Sequence, residues 1–114
     1  MISREELSQE FVLLVNNYYP VASRILDRSY VKVLECYVER LGKRLYYIGV
    51  YYPEGLRDRV LAEHDAWKDI AENMGLIEVV CISATRLVRD PKSRLREENP
   101  RLWLELYWVA IHSY

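Results

Sequence analysis

The run Leu45-Tyr46-Tyr47-Ile48-Gly49-Val50-Tyr51-Tyr52 is apolar or aromatic at both parities. Tyr46, Ile48, Val50 and Tyr52 fall on one, Leu45, Tyr47 and Tyr51 on the other. Successive side chains of a strand point to opposite faces, so this run is a strand only if both its faces are covered. Residues 102–111 read the same way, with Trp103, Tyr107, Val109 and Ile111 against Leu102, Leu104, Leu106 and Trp108. A sheet with these strands facing water on one side is excluded.

Covering two faces takes material. The chain has 114 residues, 51% of them apolar and 29% charged, which suits one domain (1–114) with a real core and excludes disorder. Ser3 and Glu6 stand at capping-box spacing, and Leu7, Phe11, Leu14, Val15 and Tyr18 mark one face of a helix running to about residue 18. Pro20 interrupts it, with room for a further turn over residues 21–26. Residues 31–39 alternate around β-branched side chains and predict a strand. Gly42-Lys43 predicts a two-residue turn into a return strand over 45–52. Pairing 41 with 44 sets Val38 opposite Tyr47, Cys36 opposite Gly49 and Leu34 opposite Tyr51. Pro53-Glu54-Gly55 opens a second helix whose apolar face is Leu56, Val60, His64, Trp67, Ala71 and Met74, and Gly75 closes it. Residues 76–88 predict a strand, 89–101 a polar stretch, and 102–114 the last strand.

The resulting α-β-β-α-β-β order is echoed in the residues. Leu45-Tyr46-Tyr47-Ile48-Gly49-Val50 matches Leu106-Tyr107-Trp108-Val109-Ala110-Ile111 class for class, and the preceding strands align without gaps. The expected fold is therefore α+β, a duplicated αββ unit with pseudo-repeats at about 3–52 and 53–114. Its four-stranded antiparallel sheet carries both helices on one face. This element order resembles that of the LAGLIDADG homing endonucleases and of a permuted ferredoxin-like sheet. The helix ends here read Asn16-Asn17-Tyr18-Tyr19 and Glu72-Asn73-Met74-Gly75, without the acidic pair that holds the endonuclease metals, so only the topology is shared.

Two helices cover one face of such a sheet. The other face must meet a second subunit, an apolar ligand or unpaired bases, and a homodimer is the commonest solution. Tyr47, Tyr51, Trp103, Tyr107, Trp108 and His64 are the candidate interface or ligand residues.

The net charge of −1 excludes a histone-like polycation. It conceals two opposite fields. Residues 39–44 and 86–101 hold nine cations (Arg40, Lys43, Arg44, Arg86, Arg89, Lys92, Arg94, Arg96 and Arg101) against four acids, a local +5. The rest of the chain holds seven basic and thirteen acidic residues, or −6. Basic hairpin arms on a dimeric sheet suit a phosphate backbone, so the leading expectation is a small non-enzymatic protein binding DNA or RNA. The alternative is a dimeric small-molecule-binding or protein-assembly module using the aromatic face.

No catalytic residues are assigned. His64 on an apolar helix face reads as a hydrogen-bonded core residue, and Ser83 and Ser113 lack a nucleophile elbow. Cys36 and Cys81 read as buried small hydrophobes rather than a disulfide, and with His64 and His112 they make no metal-binding spacing. No cofactor is expected. The absence of a signal sequence or membrane span points to a cytoplasmic protein. Twelve Arg against four Lys, and twelve Glu against five Asp, resemble thermophile usage.

Overall fold

The computed structural model describes residues 2–112. Helix α1 (Arg4–Tyr18) starts where the capping box placed it, the Ser3 hydroxyl accepting the Glu6 N–H at 3.1 Å. Pro20 occupies the first position of α2 (Pro20–Leu26), where its missing N–H costs nothing. Strands β1 (Tyr30–Val38) and β2 (Lys43–Tyr52) form the hairpin. Its turn is a 3₁₀ segment, Glu39–Leu41, closed by Gly42 at φ 58°. That longer turn sets Val38 opposite Lys43, Cys36 opposite Leu45 and Leu34 opposite Tyr47, a register four residues from the expected one. Because the shift is even, every side chain keeps its expected face.

Helix α3 (Arg57–Asn73) ends at Gly75, whose φ of 83° is open to glycine without strain. Beyond it the expected four-stranded antiparallel sheet is overturned. Only Val79–Ser83 forms a strand (β3), and it pairs parallel to β2, Ile48 beside Val79 and Tyr52 beside Ser83. A parallel neighbour needs a crossover, and α3 supplies it. The sheet is three-stranded and mixed, in the order β1-β2-β3.

The predicted strand over 76–88 stops because the Ser83 hydroxyl accepts the Arg86 N–H at 3.2 Å and caps α4 (Ala84–Arg89). The polar stretch holds α5 (Leu95–Glu98). The predicted last strand is α6 (Pro100–Ile111); its final two positions, Ser113 and Tyr114, lie outside the described residues. Asn99 accepts the Leu102 N–H at 3.2 Å and Pro100 takes the first helical position, a strong start signal. The two halves thus build different structures, and no duplicated αββ unit forms. The α+β class holds.

Layering follows from the doubly apolar β2. Its even residues Ile48, Val50 and Tyr52 join Val33 and Val79 against Phe11, Val15, Ala22, Ile25, Val60 and Trp67 of α1, α2 and α3. The opposite face packs Tyr51 against Ala84 and Leu106, with Tyr30, Ile82, Leu102 and Val109 at the margin. The chain's own C-terminal helices supply much of the cover that the sequence assigned to a partner. At Gly49 an added Cβ would lie 2.8 Å from Leu34 Cδ1, so the strands close over this position.

Candidate functional site

Helix α6 is apolar almost all the way round. Leu102, Leu106 and Val109 face the sheet and α4, and Leu106 is fully buried. The opposite arc leaves Leu104 56%, Tyr107 42%, Trp108 59% and Ile111 40% exposed. A water-facing helix normally carries a polar outer face. Trp103 stacks on Tyr107 with ring centroids 5.2 Å apart, and the Arg96 guanidinium lies 5.0 Å from the Trp103 ring centroid. Trp108 stacks on His112 at 4.2 Å.

The aromatic candidates therefore sit on two elements. Trp103, Tyr107 and Trp108 belong to α6 rather than to a strand. Tyr51 is buried beneath that helix, where burial pushes its hydroxyl pKa up. Tyr47 is half-buried on the same side of the sheet, across from Leu34. Leu34, Leu45 and Tyr47 are only partly covered there, and Val80 is exposed.

His64 lies elsewhere, on α3, at the outer edge of β3. Its Nε2 is 2.7 Å from the Val79 carbonyl, to which it donates in the tautomer protonated there. The Glu78 carboxylate accepts the Val79 N–H at 2.9 Å and stands 3.6 Å from Lys68. That N–H, helped by Lys68 and His64 against partial burial, holds the Glu78 carboxyl below its ordinary pKa. The cluster satisfies backbone groups on an edge strand, a structural task.

The nine basic candidates form two separate groups. Arg40, Lys43 and Arg44 are exposed at the hairpin turn and make no ion pair among the described residues. The hairpin there extends as a two-stranded ribbon beyond the β2–β3 pairing. Arg86, Arg89, Lys92, Arg94, Arg96 and Arg101 lie on α4, α5, their loops and the first turn of α6. Arg86 is engaged by Glu54 at 3.0 Å. Tyr52 neighbours Ser83 at the far end of β2, so the hairpin turn and the start of α4 stand about 30 Å apart along that strand. The segment 89–101 is short helix and largely exposed loop, not a second hairpin arm.

Both cysteines are free. Cys36 is exposed, unlike its expected burial, while burial pushes the half-buried Cys81 thiol up to about 11. No three His, Cys, Asp or Glu side chains among the described residues converge as a metal site. No helix among them is long and apolar enough to cross a membrane. The chain matches no family model, no curated protein and no solved structure.

Sequence reasoning missed α6 as a helix and with it the outer apolar arc. Asn99-Pro100 was the available signal. It also passed over Arg4, Lys32 and Tyr30, which sequence separation hides from Arg101.

Proposed function

We propose that this protein is an assembly module that pairs with a second copy of itself through the outer face of α6. The exposure of Leu104, Tyr107, Trp108 and Ile111 on one arc carries the reading. Scaled by their exposures, these four side chains leave roughly 400 Å² of surface in water, the size of the largest apolar patch on a typical monomer, which is often functional. A stable interface takes about 800 Å² from each partner. The arc alone supplies about half of that figure, so the rim around it must contribute the rest. Rigid aromatic anchors at the centre of the patch are the composition of interface hot spots.

Light scattering and sedimentation over a concentration series test it. The wild-type chain forms dimers, and Leu104→Glu with Trp108→Glu yields a folded monomer. A wild-type chain that stays monomeric up to its solubility limit refutes the reading.

The hairpin ribbon favours a second reading, binding to nucleic acid. A two-stranded ribbon fits the major groove, and Arg40, Lys43 and Arg44 stand at its tip without ion-pair partners among the described residues. Replacing all three with Ala lowers the slope of log affinity against log salt by up to about 2–3 if each cation meets one phosphate. Equal binding by both proteins with no salt slope removes this reading.

A further inference from the structure

Between the start of α1, the outer edge of β1 and the start of α6 lies a cleft of about 420 Å³. Three elements far apart in sequence contribute its cations: Arg4 from α1, Lys32 from β1 and Arg101 from α6. None of the three makes an ion pair among the described residues. The remaining wall combines Glu5 and Glu105 with Tyr30, Ser8 and Asn99, closed by Val31, Val33 and Leu102. Three cations and two carboxylates leave the lining a formal charge of +1, with none of the cations tied up in an ion pair among the described residues.

We propose that this cleft binds a phosphate monoester of nucleotide size, its phosphate held by Arg4, Lys32 and Arg101. A dianionic phosphate suits a cleft lined by three cations, and arginine binds it through paired N–H donors. The volume decides the rest of the ligand. Phosphate alone leaves most of 420 Å³ unfilled, whereas a nucleotide-sized ester suits a pocket in the usual small-molecule range. The two carboxylates, which would repel a bare anion, accept from the hydroxyl and amino groups of such a ligand. Tyr30 reports the mixed field. Its hydroxyl pKa is raised by burial, then by Glu105 and Glu5, while Arg101 pulls it down. The cleft is lined entirely by residues of one chain, with Arg101 and Glu105 one turn from Leu104 and Trp108 at the margin of the outer arc.

Calorimetry and amide chemical shifts with adenosine 5′-monophosphate, adenosine and inorganic phosphate test the assignment. The monophosphate binds, the unphosphorylated nucleoside does not, and inorganic phosphate competes more weakly. Arg101→Gln and Lys32→Gln each weaken binding about tenfold, the loss of one charge-assisted contact. Arg89→Ala, outside the cleft, leaves binding unchanged. Arg4→Gln, in an exposed first turn, gives an independent readout should either of the first two variants fail to fold. Three results overturn the proposal: no binding at millimolar ligand, equal binding of the unphosphorylated nucleoside, or affinity indifferent to all three cleft variants.

Discussion

Leu104 and Leu106 are the same residue, two positions apart on one helix, and the fold gives them opposite environments. Leu106 is fully buried against Tyr51 and Ala84. Its truncation to Ala removes buried methyl groups and leaves a cavity. Such changes cost about 3–5 kcal/mol where the surroundings hold their shape, and about 3 kcal/mol fits here because half-exposed Tyr30, Ile82 and Val109 can collapse inward. For a chain of this size that lowers the melting temperature by about 12 °C. Leu104 is 56% exposed, and Leu104→Ala in an isolated copy loses little packing, a change within about 0.5 kcal/mol. If its face is an interface, the same substitution removes contacts from both copies and acts through association. Urea unfolding at two protein concentrations, a hundredfold apart, separates the cases. Leu106→Ala shows the same free-energy loss at both. Leu104→Ala shows none in the dilute sample and a loss in the concentrated one, where association stabilises the wild type. Equal, concentration-independent losses at the two positions refute both the packing of α6 and the free outer arc.

Other consequences follow from the charged and sulfur groups. The Glu54 carboxyl is held below its ordinary pKa by the Ser83 hydroxyl first, then by Arg86 and Arg57, against the opposing effect of burial. A depressed carboxyl contributes stability that is present above its unfolded pKa and lost as pH falls through the folded value. Thermal unfolding followed downward from neutral pH should therefore lose less below about pH 4.3 in Glu54→Gln than in the wild type. Iodoacetamide at mildly alkaline pH should modify exposed Cys36 and spare Cys81, whose thiol stays protonated until about 11; mass spectrometry counts the adducts. His64→Leu leaves the Val79 carbonyl without its donor, costing about 1–2 kcal/mol and speeding amide exchange along β3 ahead of β1.

Legibility in the sequence tracks how local each signal is. The Ser3 cap, the Pro20 break and the Gly75 stop are each decided by a few neighbouring residues, and all three stand where expected. The doubly apolar β2 was also readable, because period-2 alternation cannot hide two covered faces. What covers it was not, since that is a property of the whole chain. The expected strand over 76–88, which turns to helix after Ser83, and the one over 102–114, which is helix through Ile111, share a cause. A stretch apolar at every position satisfies both the period of a strand and that of a helix. In each case the deciding feature was a cap: Ser83 before α4, and Asn99-Pro100 before α6. Leu45–Val50 and Leu106–Ile111 match class for class but adopt different conformations, a strand and a helix. The charge segregation was visible, but its geometry was not. Only the parallel placement of β3 puts the start of α4 at the far end of β2 from Arg44.

The outer arc also bears on how firmly α6 is held. Leu106 is its one fully buried side chain among the described residues, and a twelve-residue helix is marginal in water without tertiary support. Its docking on Tyr51 and Ala84 is therefore a thinner layer than the one that α1, α2 and α3 build on the other face of β2. A second copy pressed on the outer arc would restrain the helix from the solvent side. Dissociation and undocking of α6 then become one linked equilibrium. Dilution should raise amide exchange in residues 100–111 well before it does so in β2, and adding Leu104→Glu to a concentrated sample should reproduce the effect. Exchange in α6 that is slow and independent of concentration would mean that the inner face alone secures the helix. The aromatic arc would then have no part in holding the fold together.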